Sequence, residues 1–372
     1  MAAVTGPRIT PNSFFATTAP PAGQPRKAES SPVTIYFISG NPGLIGYYHT
    51  FLSLLSSYLS SSSSSSPSAA QDKNSVSDSF HIYGSSLGGF EVGAESSNEK
   101  KKKEQPELYG LEQQIHLAES RLEAFVSANC PQPASTTVTT GNVQNRPRVI
   151  LMGHSVGAYI AMEILRRHRE EFSHAPFDIV GGIMLFPTVV DIALSPEGKR
   201  LTRLLYFIPQ LALVASLLAK FLTFLFPDVV LRSLIRLVMG YPPDDAVETT
   251  LAFLKSKRGV RQALHMAADE MHDITADKWS DDIWGTRSSP SSDGSNSRKL
   301  SKLVFYFGRN DHWVAERTRD EIIAMRGSTS SESRGPKMVV CEEGLPHAFC
   351  IRHSDIMARK VAGFIREILA ES

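Results

Sequence analysis

The sequence contains few cysteines and no excess of either charge. Cysteine occurs only three times in 372 residues, at Cys130, Cys341 and Cys350. Three cysteines are too few, and odd in number, for a disulfide framework, and they form no cluster of metal ligands. Such a low cysteine content is typical of proteins in a reducing compartment. The 39 basic and 38 acidic residues leave a net charge of +1, whereas nucleic-acid-binding domains usually carry a basic excess. We therefore expect no nucleic-acid partner and no metal or organic cofactor.

The N-terminal region lacks the continuous apolar stretch of a secretory signal. Residues 1–30 are rich in Pro, Ser, Thr and Ala, a composition that predicts a mostly disordered segment. The lysine run Lys100–Lys103 is flanked by glutamates and predicts a solvated loop. It belongs to one of five low-complexity stretches that we interpret as surface-loop insertions, namely 56–79, 91–107, 129–146, 286–299 and 327–336.

Between these stretches, short apolar runs alternate with helical patterns. Runs this apolar are typical of strands buried on both faces of a sheet. The predicted strands are 33–39, 80–83, 148–152, 179–186, 302–307 and 337–341. Strands and helices in alternation predict a doubly wound, mostly parallel α/β sheet. Residues 31–372 would form this single domain.

The pattern G-x-S-x-G, which is the spacing of a serine hydrolase nucleophile, occurs twice, around Ser155 and around Ser86. A nucleophile elbow needs a strand, a sharp turn and then a helix. Ser155 follows strand 148–152 and precedes a segment rich in Ala, Ile, Met and Leu. Ser86 also follows a predicted strand, but residues 90–103 form no amphipathic pattern. We therefore predict Ser155 as the nucleophile and a Gly/Ser loop at Ser86.

An isolated serine hydroxyl is a poor nucleophile at neutral pH and needs a base, which in turn needs an acid to orient it. Asp311 follows the fifth predicted strand and His347 follows the sixth. Serine, acid and histidine then occur in the chain order of α/β-hydrolases. Because the carboxyl ends of parallel strands meet at one edge of a sheet, Ser155, Asp311 and His347 are expected to converge there as a catalytic triad.

Other residues could replace two members of this triad. His312 lies beside Asp311 and is an alternative base, and so is His353 at the start of the last predicted helix. Asp191 follows the fourth predicted strand, where some hydrolases place the acid.

A tetrahedral intermediate also needs two fixed N–H donors for its oxyanion. One is predicted to be the backbone N–H of Val156, directly after the nucleophile. The second is expected from the loop after the first strand, in which Pro42 has no N–H to donate. This leaves Gly40 and Asn41, of which we favour Asn41.

Residues 203–243 are unusually apolar and lie within the long connection between the fourth and fifth strands, a region of about 191–285 that predicts a helical cap. The run from Leu204 to Phe226 approaches the length of a membrane-spanning helix, but Pro209, Gln210 and Lys220 interrupt it. A single span would also separate the triad across a membrane. We expect instead two apolar helices, the second over 228–239, that associate with a lipid surface through about 203–240. The alternative is a cap buried on the sheet.

Several segments together resemble the lipid-droplet-associated hydrolase family. They are 39–52 with the sequence SGNPGLIGYYHTFL, 111–126, 151–165, 185–201 with its FPT and SPEG motifs, 309–314 and 345–349. The resemblance implies an α/β-hydrolase fold and a triad at Ser155, Asp311 and His347. It also implies peripheral or monotopic association with lipid droplets and the cytosolic face of the endoplasmic reticulum, a role in neutral-lipid storage, and an ester substrate, usually named as a sterol ester.

The low-complexity insertions depart from the family pattern and look like the padding common in fungal proteins. They lengthen loops without touching the three triad positions. A second hypothesis is a droplet-coating or tethering protein whose hydrolase site is vestigial or slow.

Overall fold

In the computed structural model, the chain folds around one eight-stranded sheet. The structure describes residues 6–18, 31–61, 78–93, 107–130, 146–170, 176–286, 301–327 and 335–370. The strands are β1 Arg8–Thr10, β2 Ser13–Thr18, β3 Val33–Ile38, β4 Phe80–Ser85, β5 Arg148–His154, β6 Asp178–Leu185, β7 Lys302–Phe307 and β8 Lys337–Val340. They lie in the order β1-β2-β4-β3-β5-β6-β7-β8, and the pairs from β4 through β8 are parallel.

The helices that connect these strands cover both faces of the sheet. They are α1 His49–Ser60, α2 Leu111–Asn129, α3 Val156–Glu170, α4 Pro196–Phe207, α5 Leu211–Leu225, α6 Asp228–Val238, α7 Asp244–Lys255, α8 Gly259–Asp273, α9 Asp281–Trp284, α10 Glu316–Arg326, α11 Phe349–Arg352 and α12 Ser354–Ala370. Apolar side chains of α1 and α12 pack on one face, and those of α2, α3 and α10 on the other. The sheet is therefore doubly wound and mostly parallel, as its buried apolar runs predict.

The prediction of a mostly disordered segment over residues 1–30 is wrong for residues 8–18. These residues form the antiparallel hairpin β1–β2, and β2 pairs antiparallel with β4. Phe14 is fully buried and Ala16 is nearly so, because both pack into the core beneath α1. The Thr- and Pro-rich composition concealed an alternation of inward and outward side chains that becomes stable only when β4 is present to pair with it.

The predicted loop insertions fall largely outside the described residues, and the lysine run Lys100–Lys103 falls there entirely. The first insertion needs correction at its start, because residues 56–60 continue α1. Leu59 in this last turn is buried, so packing on the core extends the helix into the serine-rich run.

The long connection between β6 and β7 contains the helices α4 to α9, where the sequence predicts a cap. Helix α5 packs on α8, and α6 packs on α7 around a small separate core of Leu231, Ile235, Val247 and Leu251. Helix α8 also contacts α2, so the cap rests directly on the sheet domain above the carboxyl ends of the strands.

Candidate active site

Ser155 lies in a tight turn between β5 and α3. Its φ is 56°, a left-handed conformation that is strained for a residue with a side chain. The turn closes only because its neighbours are glycines: a Cβ on Gly153 would lie 2.2 Å from the Gly157 carbonyl oxygen, and one on Gly157 would lie 2.3 Å from the Ile38 carbonyl oxygen. The sequence G-x-S-x-G thus produces the strand–turn–helix geometry that a nucleophile elbow requires.

The structure brings the three predicted triad side chains together. His347 Nε2 lies 3.0 Å from Ser155 Oγ, and His347 Nδ1 lies 2.9 and 2.8 Å from the two carboxylate oxygens of Asp311. A carboxylate oxygen only accepts, so Nδ1 carries a proton and Nε2 is left to accept the serine hydroxyl. The Asp311 side chain is almost completely buried, at 1% exposed, which fixes its position behind the imidazole.

The alternative residues lie elsewhere. The Ser86 hydroxyl accepts a hydrogen bond from the Ile45 backbone N–H, so it stabilises the turn before α1. Asp191 adopts a left-handed conformation before the short turn Ile192–Leu194. The side chain of His312 is exposed, and His353 caps the end of α11.

The loop after β3 approaches Ser155 closely. A Cβ on Gly40 would lie 2.9 Å from the Ser155 Cβ, so only glycine fits there. The Gly40 N–H donates to the Tyr48 hydroxyl oxygen at 3.3 Å, which commits this donor within the protein. Val156 is the first residue of α3, and the N–H groups of a first helical turn have no partner within the helix. Because the Gly40 N–H already has an acceptor, Asn41 stays the predicted second donor beside Val156.

Tyr48 and His154, which have no predicted role, connect this loop to His347. Tyr48 Oη lies 2.8 Å from His154 Nδ1, and His154 Nε2 lies 2.9 Å from the His347 carbonyl oxygen. Burial lowers the pKa of His154 well below its ordinary value, so the ring is neutral. Its Nε2–H therefore donates to the carbonyl and its Nδ1 accepts from Tyr48. In the sequence, His154 directly precedes Ser155, and this position is the signal that could have identified it as part of the site.

A third such residue, Glu270 on α8, holds Asn41. The Asn41 Nδ2 group donates to Glu270 Oε1 and to the Ala263 carbonyl oxygen, both at 2.9 Å. Burial raises the pKa of Glu270 to about 8, so this carboxyl group is protonated at neutral pH. The cap thus contributes directly to the placement of the loop beside Ser155.

The protonation of Glu270 predicts a pH-dependent stability. Its carboxyl group releases a proton near pH 4.5 in the unfolded chain but only near pH 8 in the folded protein, so the free energy of unfolding falls as pH rises through this window. Glu270→Gln keeps an acceptor for Asn41 and cannot ionise. In urea unfolding experiments we expect it to match the wild type near pH 4.5 and to exceed it at pH 8 by on the order of a few kcal/mol. Glu316→Gln, an exposed change on α10, is the control; parallel wild-type and Glu270→Gln profiles would contradict the prediction.

The cap exposes an unusual amount of apolar surface. Of the 21 large hydrophobic side chains exposed in the described part of the chain, 17 lie between Leu204 and Tyr241, on α4, α5, α6 and their connections. We call these 17 side chains the apolar patch. Phe224 is 90% exposed and Val238 is 77% exposed. A surface of this kind marks an interaction site, because soluble monomers rarely expose so much contiguous apolar area.

The apolar run is broken at Pro209 and Gln210, as these two residues predict, but Lys220 lies inside α5. The prediction of two apolar helices is therefore wrong, because α4, α5 and α6 share this region. Among the described residues no single helix is long and apolar enough to cross a membrane, but α4 and α5 meet the length and composition criteria as a pair bent by 92°. The two arginines of α6 form ion pairs within the cap. Arg232 pairs with Glu248 and Arg236 with Asp244, so both tie α6 to α7.

Comparisons with known proteins agree with this fold. A haloalkane dehalogenase from Bradyrhizobium elkani, DbeA, superposes with a TM-score of 0.53 over 98% of both chains, at 13% identity. A loop variant of that enzyme gives a TM-score of 0.51 at 14% identity. At this low identity the similarity shows the α/β-hydrolase fold alone.

Sequence relatives are more informative. The lipid droplet-associated hydrolase of Gallus gallus is 28% identical over 339 residues, which cover 90% of this chain and 85% of the relative. That of Dictyostelium discoideum is 24% identical and covers 90% and 88%. Residues 31–350 match the family model described as lipid-droplet associated hydrolase. With the family model spanning most of the chain, this α/β-hydrolase belongs to the lipid-droplet associated hydrolase family.

Proposed function

We propose that this protein is a serine carboxylic ester hydrolase that acts on neutral lipids at the surface of a lipid droplet. The observation that carries the proposal is the alignment of Ser155, His347 and Asp311 at hydrogen-bonding distances on a strained elbow. This arrangement supplies a nucleophile, a base and an orienting acid, which acyl transfer requires.

The proposed reaction proceeds through an acyl-enzyme. Ser155 Oγ attacks the ester carbonyl carbon while His347 Nε2 takes the hydroxyl proton. The backbone N–H groups of Val156 and Asn41 bind the resulting oxyanion. His347 then donates the proton to the departing alcohol oxygen, and the ester C–O bond breaks. In the second half, His347 deprotonates a water that attacks the acyl-enzyme, which releases the fatty acid and restores the Ser155 hydroxyl.

The apolar patch supports the proposed place of action. Amphipathic helices of this kind bury their apolar faces in the outer layer of a lipid surface. A droplet monolayer, or the membrane of the endoplasmic reticulum, would cover α4 to α6 and present the cap to esters that are insoluble in water. Relatives with matching sequences are named for lipid droplets. We propose a sterol ester or a related acyl ester as the substrate.

A second candidate function is that of a droplet-coating or tethering protein with a slow or vestigial site. The extent of the apolar patch favours this reading, because docking alone would explain it. The aligned triad favours the enzyme, since coating requires neither a strained elbow nor a buried acid behind a histidine.

Labelling with a fluorophosphonate probe tests the activated serine. The purified wild type is expected to react, and Ser155→Ala is expected to lose labelling completely, because the probe forms a bond to an activated Oγ. Mass spectrometry of the labelled peptide identifies the modified residue. Dispersed neutral lipid is included so that an interface is available to the cap.

Ser86→Ala is the matched control, since it removes a hydroxyl from the other G-x-S-x-G sequence and should label like the wild type. Label on Ser86 would refute the proposed triad. A folded wild type that does not label in the presence of lipid would favour the coating protein instead. Under that alternative, Ser155→Ala would retain the full effect of the protein on lipid storage in cells.

A further inference from the structure

A cavity of about 330 Å³ lies at the edge of the apolar patch, away from the triad. Its walls come from three places: the loop before α2, one face of α5, and the beginning of α8 with the residues that precede it. The lining residues are Glu107, Leu108, Leu213, Ser216, Leu217, Lys220, Lys257, Arg258 and Arg261. Four of these are basic and one is acidic, so the cavity is strongly electropositive in a chain whose overall charge is near zero.

The single acidic group is already neutralised. Glu107 forms an ion pair with Arg261 at 2.5 Å. Lys220 and Lys257 add positive charge, and no ion pair to either occurs within the part of the chain that the structure describes. Arg258 also lines the cavity. The 15-residue helix α8 begins at Gly259, directly after Arg258, and its dipole adds partial positive charge at the same point. These groups together favour an anion with phosphate chemistry.

The apolar wall of the cavity identifies the source of that anion. Leu213 and Leu217 line the cavity and are also members of the apolar patch, with Leu217 57% exposed. If the patch enters a lipid monolayer, the cavity lies at the level of the phosphate groups, next to acyl chains. A free phosphate would use only the basic side of the cavity, whereas a phospholipid would use both sides.

We propose that this cavity binds the headgroup of an anionic phospholipid and so orients the cap on a lipid surface. The inference rests on the proposed docking of the apolar patch into lipid, and it adds a charge preference that apolar docking alone does not require. Lys220, Lys257 and Arg258 contact the phosphate, and the side chains of Leu213 and Leu217 contact the first carbons of the acyl chains.

Vesicle flotation with the full chain tests the proposal. Binding is measured to phosphatidylcholine vesicles and to vesicles in which phosphatidylinositol replaces part of the phosphatidylcholine. We expect the wild type to prefer the anionic vesicles by about 100-fold, because each of the three basic residues near an anionic surface contributes about 1 kcal/mol, or about a factor of five. The triple variant Lys220→Gln, Lys257→Gln, Arg258→Gln is expected to lose most of this preference and to keep its binding to phosphatidylcholine.

The control variant is Arg317→Gln, Lys337→Gln, Lys360→Gln, which removes the same charge from helices and strands outside the cap. It should keep the preference for anionic vesicles. If both triple variants lose the preference for anionic vesicles equally, the headgroup site is overturned, because the preference would then reflect a general attraction between positive charge on the protein and the anionic surface. Circular dichroism and fluorophosphonate labelling verify that each variant is folded.

The outcomes separate this inference from the proposed function. Equal binding of the wild type to both kinds of vesicle overturns the headgroup site and leaves apolar docking intact. Binding to anionic vesicles alone contradicts apolar docking, and with it the headgroup site, which rests on that docking. Binding to neither vesicle contradicts both. If inorganic phosphate stabilises the wild type against unfolding but the wild type shows no preference for anionic vesicles, the ligand of the cavity is a free phosphate and the proposal of a lipid headgroup is overturned.

Discussion

Asp311→Asn is expected to lower kcat for ester hydrolysis by about 10⁴-fold with little change in fold. The carboxylate accepts from His347 Nδ1, and this fixes the tautomer in which Nε2 faces Ser155. An amide can donate a hydrogen bond to Nδ1, which would place the imidazole proton on Nε2 and remove the base. Steady-state hydrolysis of a water-soluble ester measures the effect, and thermal unfolding measures the stability of the variant.

Asp191→Asn is the control for the position of the acid. Asp191 follows β6, where the sequence left an alternative acid open, and its side chain lies before a short turn. We expect wild-type kcat for this variant. A large loss in Asp191→Asn together with a small one in Asp311→Asn would assign the acid to β6 and require the His347 loop to move during turnover.

The second large effect concerns droplet binding. Phe207→Ser, Phe224→Ser and Val238→Ser together replace one strongly exposed side chain on each of α4, α5 and α6, or directly at its end. Burying side chains of this size in lipid contributes roughly 1.5–3 kcal/mol each. Their loss is therefore expected to weaken partitioning onto triolein droplets by about a thousandfold or more. Because these side chains are already exposed in the free protein, the substitutions remove little internal packing.

The matched control replaces three exposed hydrophobic residues outside the patch, Ile9→Ser, Met325→Ser and Ile356→Ser. This variant should partition like the wild type in a droplet flotation assay. Equal weakening in the two variants would show that exposed apolar area, rather than the patch on the cap, determines attachment. Unchanged droplet binding of the patch variant would favour a cap that is buried against the sheet, or an apolar patch that contacts another protein.

Much of the sheet could be predicted from sequence because its strands are buried on both faces. The runs that became β3 and β5 are mostly apolar, and the side chains of β3, and of β5 from Val149 onward, are buried without interruption. The candidate triad could be predicted from the sequence for a related reason. The carboxyl ends of parallel strands lie along one edge of a sheet, so loops after such strands can meet there. Ser155, Asp311 and His347 follow β5, β7 and β8, which lie within four consecutive positions of the sheet.

The N-terminal hairpin and the support of the site could not be predicted in this way. The hairpin is stabilised by β4, more than sixty residues later in the chain, and its own composition is that of a disordered segment. Tyr48, His154 and Glu270 act through tertiary contacts with residues as distant as position 347. Local patterns record which helix or strand a residue occupies, and they do not record which atoms meet across the fold.

Helix α8 makes contact in two directions, with α5, which carries part of the apolar patch, and with Asn41 beside Ser155. Under the proposed function, the enzyme meets its substrate in two dimensions, within the surface layer of the droplet. The relevant concentration is then the mole fraction of ester in the surface layer, and the total ester in suspension matters little once all enzyme is attached. Adding inert phospholipid at constant bulk ester would slow turnover by diluting the surface, a kinetic signature that a catalyst working on dissolved esters does not have.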